Sequence, residues 1–310
     1  MTTVSVFGGT GFLGQRLVRR LASEGTAVRV VVRHPDHARS ALRAADMERL
    51  TFFCADVRDR GAVASAVAGS DAVVNAVSAY VETGGVTFES VHERGAEMLA
   101  REAAVAGVAR LVLISGIGAD PESGSAYIRS RGRGERVVQE AFPGATIVRP
   151  SAMFGPGDAL FGTLAHLARL LPVIPLIGGG HTRLQPVYVE DVAEAIAHML
   201  ADTGTAGRTY ELAGPDVYTM RELTEIVLRI TGRRRLLAPV PFAVAKIHAR
   251  LFEFLPNPPL TTGQVELLKA DNVASASLPG LRELSIEPKT VEEIIPTYLR
   301  RAHKMEEVVR

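Results

Sequence analysis

The stretch VFGGTGFLGQRLV, residues 6–18, decides the fold of this 310-residue chain. Its glycines Gly8, Gly11 and Gly14 follow an apolar run and precede an amphipathic one, so the spacing predicts a strand, a tight turn and a helix. Gly8 would permit the turn, Gly11 would let the backbone approach a ligand, and Gly14 would let the helix pack close to the strand. The free N–H groups of such a helix N-terminus suit the turn to a diphosphate. The alternative is a tight turn that holds no ligand.

Outward from this stretch, apolar runs alternate with amphipathic stretches through the first half of the chain. The predicted strands are VSVFGG (4–9), AVRVVVR (27–33), LTFFCAD (50–56), AVVNAV (72–77), RLVLISG (110–116) and TIVRPS (146–151). The predicted helices cover 12–24, 60–68, 90–106 and 131–141. This alternation is typical of the α/β class, a Rossmann-type doubly wound parallel sheet with helices on both faces.

The pattern changes after residue 152. Proline and glycine become frequent, as in FGPGD (154–158) and LLPVIPLIGGGH (170–181), and helices and short strands are irregularly spaced. We therefore predict a Rossmann domain over 1–152 and a smaller mixed C-terminal lobe over 153–310, with some of the later chain returning to the first sheet.

Composition excludes several classes of protein. The net charge is +1 with acidic and basic residues interspersed, so no nucleic-acid partner is expected. The single cysteine, Cys54, rules out an internal disulfide, and we expect it to be buried in its strand. Histidines and carboxylates do not recur at ligand spacing, so no metal is expected. A strand begins almost at once, and no apolar run approaches the roughly 18 to 20 residues that span a bilayer, so we expect a cytoplasmic protein.

The end of the second strand indicates which dinucleotide the turn would hold. An NAD site commonly has Asp or Glu there, and this carboxylate would repel an added 2′-phosphate. This chain has Arg33 at the strand end and no acid, so NADP(H) is favoured over NAD(H), with His34 and Arg39 as further donors. The alternative is that Arg33 is a solvated strand-end residue.

The third and fourth strands end in further candidate contacts. Asp56 would accept a hydrogen bond from the adenine amino group, and Val57 would lie against the adenine ring. The alternative for Asp56 is to cap the helix that follows. Candidate contacts also lie at the carboxyl edge of the fourth strand, where open α/β sheets bind ligands. Asn75, Ala76, Val77 and Ser78 are predicted to contact the ribose or the second phosphate there.

A series of motifs resembles a known superfamily. GGTGFLG (8–14), DVRD (56–59), NAVS (75–78), LISGIGAD (113–120), YIRSRGRGE (127–135) and VRPSAMFGPGD (148–158) are similar, in this order, to the extended or atypical short-chain dehydrogenase/reductases. QPVYVEDVAEAI (185–196), YELAGPDVYTMRELTEIV (210–227) and PLTTGQVELLKADNVAS (259–275) resemble the branch that contains the nucleotide-binding accessory subunit of mitochondrial complex I.

The resemblance implies a catalytic site around Tyr127. In the superfamily, the tyrosine of a Y-x-x-x-K pattern exchanges a proton with the substrate oxygen, and the lysine holds the nicotinamide ribose. Tyr127 occupies the tyrosine position here, and Arg131 occupies the lysine position. Arg131 departs from the pattern, because a planar guanidinium is a poor substitute for a compact ammonium between two ribose hydroxyls. Ser115 is the candidate for the serine that hydrogen-bonds the substrate carbonyl, with Ser123 and Ser125 as alternatives.

The superfamily also places backbone near the nicotinamide amide just after the sixth strand. Arg149, Pro150 and Ser151 occupy this place, and their alternative role is a hinge into the C-terminal lobe. The complete set of predicted dinucleotide contacts is Gly8, Thr10, Gly11, Phe12, Leu13, Gly14, Arg33, His34, Asp56, Val57, Asn75, Ala76, Val77, Arg149, Pro150 and Ser151.

Two classes of function fit these residues. The first is an NADP(H)-dependent oxidoreductase acting on a carbonyl or hydroxyl of a hydrophobic small molecule, with Tyr127 as acid/base, Arg131 as electrostatic support and Ser115 as substrate anchor. The second is a catalytically weak NADP(H)-binding module that stabilises an assembly or a membrane complex. A nucleotide-sugar epimerase or dehydratase is a third alternative, less favoured because the C-terminal lobe has no recognisable ligands for a sugar diphosphate.

An apolar stretch at 240–260 bears on the partners of the C-terminal lobe. Its alternatives are packing within the lobe, a hydrophobic substrate cleft, or an interface with a membrane surface or a protein complex, which would place the protein at the periphery of the inner membrane. The apolar face comprises Phe242, Val244, Ile247, Leu251, Phe252, Phe254 and Leu255.

Overall fold

The structure, a computed structural model, describes residues 2–42, 47–252 and 260–308. The strands are β1 (Thr3–Phe7), β2 (Ala27–Val32), β3 (Leu50–Cys54), β4 (Ala72–Asn75), β5 (Arg110–Ile114), β6 (Thr146–Pro150), β7 (Met153–Phe154), β8 (Val173–Ile177), β9 (Arg183–Leu184), β10 (Val187–Tyr188), β11 (Thr209–Leu212), β12 (Tyr218–Thr219) and β13 (Leu236–Val240).

Helices connect most of these strands. They are α1 (Phe12–Ser23), α2 (Pro35–Ala41), α3 (Arg60–Val67), α4 (Ala96–Val105), α5 (Ala126–Ala141), α6 (Ala159–Leu170), α7 (Val189–Ala201), α8 (Met220–Ile230), α9 (Phe242–Phe252), α10 (Thr262–Leu267) and α11 (Val291–Val308). A π-helical segment, Glu89–Gly95, leads directly into α4. None of the helices in the described ranges is long and apolar enough to cross a bilayer.

Seven strands form one parallel sheet in the order β11-β6-β5-β4-β1-β2-β3. Val6 of β1 is in register with Val30 of β2 and with Val74 of β4, and all three side chains are fully buried. Strands covered on both faces by helices are near-continuous apolar runs. This is why six of the seven strands, β1 to β6, could be predicted from the sequence. The predicted Rossmann-type α/β fold is confirmed.

Cys54 corrects one expectation about this sheet. It lies in a strand, as predicted, but it is exposed rather than buried. The reason is that β3 is an edge strand, and Cys54 is its last residue, so its side chain is left uncovered.

The described residues divide into two compact units. The first comprises Met1–Pro150, Val189–Leu212 and Ala276–Glu287. Helix α7 belongs to this unit and packs on α1, with ion pairs from Arg16 to Glu190 and from Arg20 to Glu194. Strand β11 also belongs to it and pairs with β6.

The second unit comprises Ser151–Tyr188, Ala213–Ser275 and Pro288–Arg310. Its core contains Phe154, Phe161, Leu223, Val227 and Ile295, contributed by β7 and by helices α6, α8 and α11. The paired strands are β8 with β13, β7 with β10 and β9 with β12, each a two-stranded sheet.

Helix α9 of this unit leaves part of the predicted apolar face in solvent. Val244, Ile247 and Leu251 are 54%, 63% and 63% exposed, whereas Ala245 and Ala249 are buried on the opposite side. Packing within the lobe therefore does not account for these three side chains. The Phe252 side chain, Phe254 and Leu255 lie outside the described residues.

Candidate active site

The glycine turn has the geometry that its sequence predicts. Gly8 has φ of +77°, a backbone conformation that favours glycine. A Cβ on Gly14 would overlap with the Gly8 carbonyl oxygen, so helix α1 packs directly on the turn. A Cβ on Gly11 would meet only that same oxygen, at 3.2 Å, which leaves its other side open. The first turn of α1 contains no acidic residue, so its free N–H groups are available to an anion.

A cavity of about 360 Å³ opens beside this turn. It lies at the carboxyl ends of β1, β2, β3 and β4, where open parallel sheets bind ligands. The predicted dinucleotide contacts that line it are Gly8, Thr10, Gly11, Arg33, Asp56, Val57, Ala76 and Val77.

Several residues predicted to contact the dinucleotide are not among the described residues that line this cavity. The Leu13 side chain is buried in the core, and the Phe12 ring lies 4.4 Å from the Arg16 guanidinium. His34 is exposed at the position before α2. Asn75 accepts a hydrogen bond from the Val77 amide and lines a second, much smaller cavity. Among the described residues, these four side chains therefore do not line the cavity beside the glycine turn.

Asp56 is paired with an arginine that sequence reasoning missed. Arg58 donates to both carboxylate oxygens of Asp56, from Nε at 2.9 Å and from Nη2 at 2.7 Å, and it lines the same cavity as Arg33. These bonds lower the pKa of Asp56, against the opposing effect of burial. Asp59 caps helix α3 by accepting from the Ala62 amide, so the capping alternative for Asp56 is wrong.

Tyr127 and Arg131 are brought together on one side of α5, which begins five residues earlier than predicted. Arg131 is 7% exposed, and its Nη2 lies 3.1 Å from the Tyr127 hydroxyl oxygen. The same guanidinium donates to the Ile114 carbonyl at 2.8 Å and to the Ser78 hydroxyl at 2.6 Å. The planar fork thus joins Ser78, in the loop after β4, and Ile114, the last residue of β5, to Tyr127. It does so through two separate nitrogens, whereas a lysine ammonium would make all of its bonds from one nitrogen.

Two buried polar atoms near this pair have no partner among the described residues. They are Ser115 Oγ, in a side chain that is 5% exposed, and Arg131 Nε. Both residues line the smaller cavity, together with Asn75 and His92. Buried polar groups in folded proteins are nearly always hydrogen-bonded, so an unpaired hydroxyl at a strand end is a mark of a binding position. The glycine turn, the cavity beside it and these unpaired polar atoms fit a dinucleotide.

The alternatives to Ser115 have local roles instead. Ser123 accepts a hydrogen bond from the Ser125 amide, and Ser125 occupies the N-cap position of α5.

Arg149, Pro150 and Ser151 are placed differently from the prediction. Arg149 and Pro150 lie within β6 rather than after it. The Arg149 guanidinium bonds to Glu135 at 2.6 Å and to Glu211 at 3.4 Å, and the Glu135 bond raises its pKa. Its side chain thus ties α5 and β11 to β6, so only the backbone here remains a candidate for cofactor contact.

Helix α5 owes its position to two glycines in the sequence RGRGE. A Cβ on Gly132 would overlap with the backbone of Pro121, and a Cβ on Gly134 would overlap with the His92 carbonyl oxygen. Close approach of α5 to the π-helical segment brings His92 against Tyr127, with ring centroids 5.6 Å apart at 84°. Tyr80 stacks on the Tyr127 ring, with centroids 5.8 Å apart and an interplanar angle of 22°. Sequence reasoning missed these neighbours, since an isolated histidine or tyrosine in a loop carries no periodic signal.

Comparison with known proteins agrees with this geometry. A family model described as NAD(P)H-binding matches residues 8–203, the range that holds the glycine turn, the cavity and Tyr127. The chain belongs to this NAD(P)H-binding family. This protein is 35% identical over 296 residues to the mitochondrial NADH dehydrogenase [ubiquinone] 1 alpha subcomplex subunit 9 from Arabidopsis thaliana. The alignment covers 92% of this chain and 74% of that relative. The superfamily branch predicted from the motifs is confirmed.

Two further comparisons give one relative in sequence and one in fold for this NAD(P)H-binding protein. It is 33% identical over 240 residues to ceramide reductase from Caulobacter vibrioides, covering 77% of this chain and 73% of that one. Its fold matches the dTDP-glucose 4,6-dehydratase of Streptomyces venezuelae, solved with NAD bound, with a TM-score of 0.74 and 23% identity over 98% of this chain and 97% of that chain.

Proposed function

We propose that the protein is an NADP(H)-dependent reductase that acts on the carbonyl group of a hydrophobic small molecule. The observation that carries the proposal is the Tyr127 hydroxyl held 3.1 Å from Arg131 Nη2. The Ser115 hydroxyl, which lines the smaller cavity together with Arg131, has no partner among the described residues. A proton donor, a fixed positive charge and a free hydrogen-bonding group are the three parts that carbonyl reduction requires from the protein.

The side chains would divide the chemistry as follows. Ser115 donates a hydrogen bond to the substrate carbonyl oxygen and orients it. Tyr127 gives its proton to that oxygen as the carbonyl becomes an alcohol, and solvent later returns a proton to the phenolate. The Arg131 guanidinium stabilises the phenolate formed in this step, because opposite charges at this distance in a buried site attract strongly.

The residues that would bind the cofactor are those that line the cavity beside the glycine turn. The backbone around Gly8, Thr10 and Gly11 would hold the diphosphate, and Arg33 would bind a 2′-phosphate. Arg58 neutralises Asp56, the carboxylate that would otherwise repel that phosphate. Bound NADPH would supply the hydride for the carbonyl carbon.

A hydrophobic substrate is favoured by two observations. Tyr80 stacks on the Tyr127 ring and is 68% exposed, and the next residue, Val81, is 46% exposed. A relative of similar identity bears the name ceramide reductase. Both are consistent with a long-chain molecule, and the cytoplasmic location proposed from the sequence places the protein where NADPH is available.

The second candidate is an NADP(H)-binding subunit without turnover. It is favoured by the 35% identity to a subunit of mitochondrial NADH dehydrogenase and by the arginine at the superfamily's lysine position. The exposed apolar side chains of α9 would then face a protein complex or the surface of a membrane.

One set of assays separates the two candidates. We expect NADPH to increase nicotinamide emission on binding more than NADH does, and NADPH oxidation to accompany reduction of a long-chain ketone such as 2-tridecanone. Tyr127→Phe should lower kcat by on the order of 100-fold or more and leave the NADPH Kd within about threefold. Binding of NADPH without turnover of 2-tridecanone or a quinone would favour the second candidate, especially if Arg131→Lys, which restores the ammonium, creates activity.

A further inference from the structure

His92 is a buried histidine that the proposed chemistry does not use. It is 5% exposed and lies on the π-helical segment Glu89–Gly95. The Ala79 amide donates to its Nε2 at 3.1 Å, and its Nδ1 lies 2.9 Å from Ser130 Oγ. Ser78 Oγ lies 3.3 Å from Nε2. Two of these neighbours also contact the Tyr127–Arg131 pair: Ser78 accepts from Arg131, and Ser130 donates to the Tyr127 carbonyl. The third, Ala79, is the residue after Ser78.

The backbone contact fixes the tautomer of His92. A backbone N–H can only donate, so Nε2 must carry a lone pair, and the ring proton is on Nδ1. Nδ1–H therefore donates to Ser130 Oγ, and the Ser130 hydroxyl donates in turn to the Tyr127 carbonyl at 2.8 Å. The chain of bonds runs in one direction, from the loop after β4 through His92 to the first turn of α5.

The surroundings keep the imidazole neutral. Burial, and secondarily the nearby Arg131 guanidinium, lower the pKa of His92 to about 3. A proton on Nε2 would point at the Ala79 N–H and would place a second cation beside Arg131. Besides its hydrogen-bonding partners, the groups beside the ring in the described structure are Arg131 and Tyr127 from α5 and Phe88, the residue before the π-helical segment, and of these Arg131 is the cation.

We infer that His92 is a positioning residue, which holds Tyr127 and Arg131 in their reactive arrangement. It does so at two points. On one side, it fixes Ser78 and Ala79, and Ser78 is the acceptor for Arg131 Nη2 at 2.6 Å. On the other, it fixes Ser130 and the Tyr127 carbonyl and packs edge-on against the Tyr127 ring. The inference rests on the proposed function in one respect, which is that Tyr127 and Arg131 are the reacting pair.

Three substitutions separate the contributions of the ring. His92→Phe keeps the packing and removes the hydrogen bonds of both ring nitrogens. His92→Asn places an amide near the position of Nδ1 and retains a donor to Ser130, and His92→Gln reaches toward the position of Nε2 and retains an acceptor for Ala79. His166→Phe is the matched control, because His166 is an exposed histidine on α6.

The experiment uses the full chain labelled with ring-¹³C tyrosine, with the Tyr127 NMR signal assigned by Tyr127→Phe. We expect the Tyr127 signal to shift or broaden in His92→Phe, to recover partly in His92→Asn or His92→Gln, and to stay unchanged in His166→Phe. With 2-tridecanone and NADPH, kcat should fall by on the order of 100-fold in His92→Phe while the NADPH Kd stays within about threefold.

The outcomes are distinguishable from failure of the proposed function. If wild-type protein binds NADPH but reduces no carbonyl, the reductase proposal fails, and the NMR signal still decides the role of His92. An unchanged Tyr127 signal in a folded His92→Phe variant, or kcat within about threefold of wild type, overturns the inference. If His92→Phe does not fold, Ser130→Ala removes the Nδ1–H acceptor and is judged by the same two readouts.

Discussion

Arg33 is the residue on which the choice of dinucleotide depends in the proposed function. It lines the cavity at the end of β2, where a 2′-phosphate would receive charge-assisted hydrogen bonds from its guanidinium. We expect Arg33→Ala to weaken NADPH binding by about tenfold or more and to change NADH binding by less than about threefold. Titration of nicotinamide emission with each cofactor measures both values.

The control for this prediction is Arg101→Ala. Arg101 is an exposed arginine on α4 that pairs with Glu97. Arg101→Ala therefore removes one positive charge from the protein without removing a residue that lines the cavity. Equal weakening of NADPH and NADH by Arg33→Ala would show that Arg33 does not contact a 2′-phosphate.

His92 predicts a pH dependence of stability that does not require a substrate. Its pKa is about 3 in the folded protein and about 6.5 in an unfolded chain, so between these values the unfolded state binds more protons. Stability therefore rises with pH across this window and is lost as the pH falls through it. From pH 7 to pH 5 the loss due to His92 is about 2 kcal/mol.

Urea unfolding at pH 7 and pH 5 measures this loss. The free energy of unfolding should fall by about 2 kcal/mol more in wild type than in His92→Phe, since all other titrating groups are shared. Parallel pH dependences of the two proteins would mean that His92 is protonated to the same degree in the folded and unfolded states.

At this scale the sequence predicted candidate residues whose signal is local. Arg33, Asp56, Ser115 and Tyr127 each stand at a strand end or in a short motif. His92 could not be found in this way, because its partner Ser130 is 38 residues away and only the fold brings them together. Arg58 was hidden for a different reason: its pairing with Asp56 depends on a turn conformation that the letters DVRD do not specify.

Among the elements, α5 depends on a glycine for its close packing. A Cβ at Gly134 would overlap with the His92 carbonyl oxygen, which is backbone and cannot move aside cheaply. We expect Gly134→Ala to destabilise the protein by about 1 to 3 kcal/mol, measured by urea unfolding, although alanine favours a helix by propensity.

Gly162→Ala is the matched control in α6. No atom lies within 4 Å of a Cβ at Gly162, so this substitution should increase stability by up to about 1 kcal/mol. If both variants were stabilised, the close packing of α5 on the π-helical segment would be wrong.

Element boundaries were predictable where apolar periodicity is strong. The six sheet strands and the helices at 12–24 and 60–68 were placed within a few residues. The start of α5 was missed because its first turn, from Ala126, has no apolar period and is positioned by contacts to Arg131. The π-helical geometry at Glu89–Gly95 was read as α-helix, since both have similar residue preferences and differ in packing.

For the whole molecule, the order of segments predicts how the chain tolerates truncation. The sheet takes β11 from residues 209–212, and α1 is covered by α7 from residues 189–201. We expect a fragment of residues 1–152, the domain predicted from composition, to fail to fold, because it would expose the edge of β6 and the apolar face under α7. Circular dichroism and size-exclusion chromatography beside the full chain measure this, and a cooperative, monomeric fragment would contradict it.

The change of composition near residue 152 locates where the second unit begins. It gives no sign of the segments that return to the first unit, because Val189–Leu212 and Ala276–Glu287 resemble their flanking sequence and are assigned by long-range contacts. Length and composition thus predict how many units are present more readily than which residues belong to each.

The exposed edge strand has a practical consequence. Cys54 is the one cysteine in the sequence, it is exposed, and its Sγ donates to the Arg33 carbonyl at 3.4 Å. A maleimide dye would therefore attach at a single position of the unmodified protein, next to the arginine proposed to meet the 2′-phosphate. Such a conjugate is a fluorescent reporter of dinucleotide binding that needs no engineered thiol, and protection of Cys54 from alkylation by NADPH would map the ligand to this edge of the sheet.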